Sequence, residues 1–221
     1  EQVCKYLLKQ GICVHVIDNW SDDNTLSIVK DMSKKSDNLT YEIFPEEKRS
    51  DYEWEKILKR KIEYAKENNY DWYIHYDADE VRESCWRGTL KDGLERVDEL
   101  GYNAIDYTVI DFRPVQDGFG RDNSPEKYFK YFEFGVRPGH FSQIKAWKNI
   151  PGVEYNLSSS GGHAVSFEGL KIFPYKFLLK HYPLRSLEQM ERKIYRDRIP
   201  RFEYEQKKYG WHTHYDKYIG M

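Results

Sequence analysis

Apolar positions recur along this chain with two periods, and each period predicts its own kind of element. Val3, Cys4, Leu7 and Leu8 share one helical face, so residues 2–9 read as a helix that Gly11 is placed to end. Residues 12–17 form a mostly apolar run, the pattern of a buried parallel strand. The polar turn from Asp18 to Thr25 follows, with Ser21 or Asp22 available to cap the next helix. Leu26, Val29 and Met32 carry that helix to about Lys35. Residues 39–44 alternate as a strand that Pro45 stops. Trp54, Ile57, Leu58, Ile62 and Ala65 repeat at helical spacing and predict a helix over 52–68, closed by Asn68 and Asn69. An aromatic and apolar strand over about 71–77 comes next, then a helix on Leu90, Leu94, Val97 and Leu100 between Thr89 and Gly101. The order α-β-α-β-α-β-α predicts a parallel sheet covered on both faces. A strand ahead of the first helix is the piece this alternation lacks.

Beyond residue 102 the pattern changes. Residues 103–113 read as a long strand with Ile105, Tyr107, Val109 and Asp111 on one face. An acid on that apolar side needs a buried partner or a site to face. Residues 114–127 are rich in Pro, Gly and Asp and read as a loop, and 128–136 are dense in aromatics without a clear period. Strands are expected over 141–147 and 164–167, around the Gly161-Gly162-His163 turn, and within 171–182. Ser186-Leu187-Glu188-Gln189 is a capping-box pattern that opens a helix running to about Lys208, interrupted near Pro200. No repeat or long linker divides the chain, so one domain over 1–221 is expected, with halves at 1–101 and 102–221.

Charge and composition narrow the classes. Acids and bases nearly cancel, to a formal net charge of −2, which does not predict a nucleic-acid partner. No run reaches the roughly 18 apolar residues of a membrane span, and no signal peptide is visible. Cys4, Cys13 and Cys85 have no paired spacing, which predicts reduced thiols and a cytoplasmic setting. Aromatics make up 16% of the chain, and their faces suit flat ligands as well as ordinary packing.

Two acidic turns follow two of the predicted strands: Asp18 to Asp23, and Asp77-Ala78-Asp79-Glu80. Strand ends of a parallel sheet with crossovers lie on one edge, so both turns can face one ligand. Asp77 and Asp79 are two apart and point the same way from an extended backbone, whereas Glu80 points away and supports the turn. A divalent cation relieves the repulsion between two such carboxylates, and hard oxygens suit magnesium or manganese. A solvated acidic turn is the alternative for the second turn, and a helix-capping turn for the first. Asp111, Glu133, His163 and Glu168 are candidates for a general base. His163 also fits a structural turn. His212 and His214 are spaced to bind metal or to sit in a solvated tail.

Val16-Ile17-Asp18-Asn19-Trp20-Ser21-Asp22-Asp23-Asn24-Thr25 resembles the D-N-x-S-x-D-x-T turn of glycosyltransferase family 2. Residues Trp72 to Glu80 resemble that family's W-x-I-x-x-D-A-D-E segment. Lys180-His181-Tyr182-Pro183-Leu184-Arg185-Ser186, together with Gly161-Gly162-His163, resembles the H-Y-P-x-R-S branch of bacterial enzymes. These segments stand in order over residues 1–215. The resemblance implies a GT-A fold: a Rossmann-like, mainly parallel α/β sheet flanked by helices, followed by a mixed acceptor-side half. It implies inverting transfer of a sugar from a nucleotide-diphosphate donor to an acceptor hydroxyl on a saccharide or glycan-lipid, assisted by Mn2+ or Mg2+. By the same resemblance, Asp18, Asn19 and Trp20 meet the nucleoside, Asp77 lies near the ribose and metal, and Asp79 and His181 bind the metal. Asp111 or His163 takes the acceptor's proton. The family's first strand is absent here, which leaves the donor site expected to be incomplete. A nucleotidyltransferase or nucleotide-sugar hydrolase on a similar fold, and a non-catalytic carbohydrate-binding domain, are the competing readings.

Overall fold

The computed structural model describes residues 1–120, 123–135, 140–197 and 203–211. The helical periodicities of the first half become α1 (Gln2–Lys9), α2 (Thr25–Ser33), α3 (Trp54–Glu67) and α4 (Leu90–Glu99). Thr89, the residue before the helix, caps α4: its hydroxyl accepts from the Asp92 N–H, and the Asp92 carboxylate accepts from the Thr89 N–H. The start of α2 differs. Asn24 stands at its N-cap, and Asp23, rather than Ser21 or Asp22, accepts from the first-turn Thr25 N–H at 2.9 Å.

The strands are β1 (Val14–Asp18), β2 (Leu39–Ile43), β3 (Trp72–Ile74), β4 (Glu80–Glu83), β5 (Ala104–Arg113), β6 (Tyr131–Phe134), β7 (Ser142–Lys148) and β8 (Phe177–His181). β1 and β2 pair in parallel as a two-stranded sheet. The other six form a second sheet in the order β3-β7-β5-β8-β4, with β6 added along β5. Only β5 and β8 run parallel in it; the β3–β7, β7–β5, β8–β4 and β5–β6 pairs are antiparallel. The architecture is therefore mixed α/β, and the wholly parallel first half expected from the α-β alternation does not form. The strand–helix order alone could not reveal this, because β3 finds its partner in β7, over 70 residues later. Segment 164–167 makes isolated bridges rather than a strand.

Both faces of the larger sheet are covered. Leu7 of α1, Val29 of α2 and Leu90, Leu94 and Val97 of α4 share one core with Ile105, Tyr107 and Val109 of β5, Ala146 of β7 and Leu179 of β8. Leu58 and Ile62 of α3 form a second core with Trp147, Tyr155, Leu157 and Val165. Ala146 and Trp147 are neighbours in β7 yet belong to different cores, as alternation of strand side chains requires. The last helical stretch divides into α6 (Leu187–Arg192), a π-helical turn (Lys193–Asp197) and α7 (Glu203–Tyr209), after the short α5 (Pro125–Tyr128). Ser186 caps α6 by accepting from the Gln189 N–H. Glu205 of α7 is buried and accepts from the Trp54 and Glu55 N–H groups, placing a carboxylate on the open first turn of α3. No helix among the described residues is long and apolar enough to cross a membrane.

Leu58 is fully buried and Leu100 is 54% exposed. Leu58→Ala should cost about 2–5 kcal/mol of stability in urea denaturation, as deletions in close-packed cores do. Leu100→Ala should change it by less than about 0.5 kcal/mol.

Candidate functional site

β3 ends at Ile74, so Asp77 and Asp79 lie in the turn that joins it to β4, and Glu80 is the first residue of β4. The Glu80 N–H donates to the Asp77 carbonyl at 3.2 Å and closes that turn. Asp77 and Asp79 therefore do not project side by side from an extended strand; the turn sends them to different partners. Lys145 of β7, almost fully buried, donates to Asp77 at 2.6 Å and to Glu80 at 2.8 Å. Arg82 closes on the other Glu80 oxygen, with its guanidinium against the rings of Tyr76 and Tyr107. Glu80 thus supports the turn from below, as its position predicts. Burial opposes ionisation of Asp77, but Lys145, His75 and Lys61 outweigh it and hold the carboxyl well below its usual range.

Asp79 looks toward β8. Strand order places His181 between Asp111 of β5 and Glu80 of β4, and it is paired in register with both. His181 Nδ1 lies 2.7 Å from Asp111 Oδ1, and the carboxylate can only accept, so this nitrogen carries a hydrogen. Its Nε2 faces Asp79 Oδ2 at 3.6 Å. Burial disfavours the imidazolium, yet the Asp111 and Asp79 carboxylates prevail and raise the His181 pKa to about 9. Burial likewise works against the Asp79 carboxylate, and His181 and Lys193 hold it ionised. Asp111, the buried acid on an apolar face, has its partner in the half-buried His181.

The first acidic turn is built differently from the expectation. Asp18 is buried and its Oδ2 accepts from the Ser21 N–H at 3.1 Å; it shapes the turn and does not line the cleft above it. Asn19 donates to the Phe44 carbonyl and the Trp20 indole to the Pro45 carbonyl, both at 2.8 Å, tying this turn to the end of β2. Trp20 adopts φ +58°, a left-handed conformation that costs a bulky residue energy and is held here by that indole bond. Asn19, Trp20, Asp22 and Asp23 line one large cleft of about 2340 Å³ together with Asp77, Asp79, His163 and His181. Consecutive cations link the two turns: Arg192 donates to Asp22 at 2.8 Å, and Lys193 lies 3.4 Å from Asp79 Oδ2. Both acidic turns therefore line the same cleft, bridged by two consecutive residues of one segment.

His163 sits in the cleft wall after Gly161 and Gly162. A side chain at Gly162 would come within 3.0 Å of the His75 ring, at a φ of +93° that already favours glycine, so this turn needs glycine for close approach. His163 is exposed at the cleft surface, yet the protein packed around its ring and the Lys145 charge hold its pKa down at about 4. Lys61 lies 3.0 Å from His75 Nδ1, and burial lowers its pKa to about 8 despite Asp77 nearby. Glu133 is opposite Asp111 in the β5–β6 register and is bonded to Arg113, and Glu168 is exposed. His212 and His214 lie outside the described residues.

Among the described residues no three His, Cys, Asp or Glu side chains converge as a metal cage. Asp79 Oδ2 and His181 Nε2 nonetheless fit a cation that keeps other ligands: bonds of about 2.1 Å to one ion can span their separation, and magnesium-like ions commonly take one or two protein groups plus phosphate and water. The carboxylate behind His181 is the usual support of an imidazole ligand. Lys145, Arg82 and Lys193 were not foreseen. Lys145 carried a signal, a lone lysine inside the apolar run Ile144–Trp147; Lys193 reads as an ordinary helix-surface lysine. No protein-family model and no curated protein matches the chain.

The raised His181 pKa fixes the sign of a pH effect in chelator-treated protein. Its protonated form stabilises the fold fully below the unfolded value of about 6.5, and that contribution is lost as pH rises through about 9. Asp111→Asn should flatten the fall in stability between pH 6.5 and 9.5, measured by denaturation across that range.

Proposed function

We propose that the chain is an inverting, metal-assisted glycosyltransferase that takes a nucleotide-diphosphate sugar as donor and a saccharide or glycan-lipid hydroxyl as acceptor. The observation that carries this reading is the Asp111–His181–Asp79 series at the edge of a cleft into which a second acidic turn also faces. In this reading Asp79 and His181 hold the ion, Mn2+ or Mg2+, and Asp111 orients the imidazole. The ion supplies Lewis-acid stabilisation of the charge that gathers on the departing diphosphate. Lys145 keeps Asp77 ionised for the ribose side of the donor. Asn19 and the face of Trp20 border the space for the base, with Asp18 holding their turn. Asp111 is committed to His181, which leaves His163, kept neutral in the cleft wall, to accept the proton of the acceptor hydroxyl.

The fold features that support a GT-A-type sheet are local. β1 and β2 are parallel, with α2 between them. The edge of β1 away from β2 and the edge of β3 away from β7 have no strand neighbour among the described residues, and both border the same cleft. Alternation turns the N–H and C=O groups of His15, Ile17, Trp72 and Ile74 toward those edges. A strand lying between those two edges would join the sheets into one. The three free thiols fit a cytoplasmic setting for such an enzyme.

Calorimetry with a panel of UDP-, GDP-, CDP- and dTDP-sugars in the presence of MnCl2 tests the reading. One donor class should bind, and chelator and Asp79→Ala should each abolish that binding. Donor binding that ignores both chelator and the substitution would favour a carbohydrate- or nucleotide-binding module instead; donor breakdown without acceptor would favour a hydrolase. Ion and proton compete for His181 Nε2, so Mn2+ affinity should rise with pH up to about 9 and level off above it.

A further inference from the structure

Two ion pairs in the acidic turns differ in kind. Lys145 closes on Asp77 at 2.6 Å from a buried strand position, which is a fixed structural contact. Lys193 stands off Asp79 at 3.4 Å while its ammonium donates to the Pro183 carbonyl at 3.0 Å. The Asp79 oxygen it approaches, Oδ2, is the same one that faces His181 Nε2 at 3.6 Å. That oxygen therefore lies between two cationic groups, taking the Lys193 ammonium at longer range than Lys145 holds Asp77 and facing His181 Nε2 on its other side.

The segment that carries Lys193 is also unusual. Arg192 ends α6 and Lys193 begins the π-helical turn. In a regular α-helix consecutive side chains diverge by about 100°; here Arg192 reaches Asp22 in the first acidic turn and Lys193 reaches Asp79 in the second. Single π-turns inside helices recur at functional sites. Residues 186–197 thus lie across the cleft edge as a strap with one cation on each turn.

We infer that Lys193 is a tethered cation that occupies the Asp79 position until a divalent ion replaces it, so that metal binding releases the strap from the cleft edge. This rests on the proposed metal role of Asp79. An ion arriving at Asp79 Oδ2 meets the ammonium that already stands 3.4 Å from the same oxygen, and the two like charges repel. The lysine must withdraw, and its flexible four-carbon stem allows this. Once withdrawn, the ammonium stays within reach of the anionic oxygens that the donor's diphosphate brings with the ion. The strap therefore favours arrival of ion and diphosphate together over arrival of the ion alone.

The test measures Mn2+ affinity without nucleotide, by electron paramagnetic resonance of the free ion, for the wild type, Lys193→Met, Lys193→Arg, Asp79→Asn and the remote Lys207→Met. Lys193→Met should bind Mn2+ at least about fivefold tighter than wild type, a modest share of the repulsion removed. Lys193→Arg and Lys207→Met should match wild type, and Asp79→Asn should lose binding. In wild type, hydrogen–deuterium exchange of the amides of residues 187–197 should quicken when Mn2+ is added. Equal affinity of Lys193→Met and wild type within twofold, or unchanged exchange of those amides in Mn2+-saturated wild type, overturns the inference while Asp79-dependent binding still upholds the metal site. Mn2+ binding that survives Asp79→Asn, or none in any variant, overturns the site reading and this inference with it.

Discussion

The buried ammonium of Lys145 is the group on which the acidic turn depends. Three carboxylates within four residues repel one another, and one of them, Glu80, is buried in the protein interior. Lys145 contacts Asp77 and Glu80 at once, and Arg82 takes the second Glu80 oxygen. With those two carboxylates neutralised, the turn between β3 and β4 can close, and Asp79 is left to face His181. Removing one member of such a buried set is far costlier than never having built it, because the survivors remain desolvated. The position of Lys145 is in turn a consequence of β7, which pairs with β3 on one side and β5 on the other.

The rest of the site follows from strand register rather than from loops. Asp111, His181 and Glu80 are register partners across β5, β8 and β4, so the imidazole is fixed from both sides by the sheet itself. A hydrogen-bonded carboxylate at Nδ1 leaves Nε2 as the atom offered to the cleft. This is a more rigid arrangement than a pair of adjacent carboxylates on a flexible turn. It shifts the centre of the site from the Asp77–Asp79 pair toward Asp79 and His181. The first acidic turn contributes by position and by the left-handed Trp20, while Asp18 works underneath it as scaffold.

The C-terminal stretch joins these parts in two ways. Glu205 caps α3 from a distance of some 150 residues along the chain, securing α7 against the helix that packs beneath the cleft. Arg192 and Lys193 bridge the two acidic turns from above. Neither contact follows from local propensity. Both bring complementary charge to their partners: a carboxylate to the open N–H groups at the start of α3, and two cations to carboxylates at the cleft edge.

What the sequence determined by itself was local. Apolar spacing marked α1 to α4, β1, β2, β5 and β7 within one or two residues. Thr89 with Asp92 and Ser186 with Gln189 act as caps because a cap's chemistry is complete within four residues. The acidic turns, and His181 far downstream, were also legible as candidates, because isolated charges beside apolar runs demand partners wherever the chain folds. Tertiary structure decided which partners they have. A strand's period says which residues share a face but not which strand lies alongside, so the antiparallel β3–β7 pairing and the short β4 were invisible. Without that pairing, Lys145 could not be seen to meet Asp77. The turn at Asp77–Asp79 looked extended because three acids after an apolar run carry no signal for where the strand stops. The Asp111–His181 contact spans 70 residues and depends on β5 and β8 being neighbours; only the assembled sheet brings that carboxylate and that imidazole together.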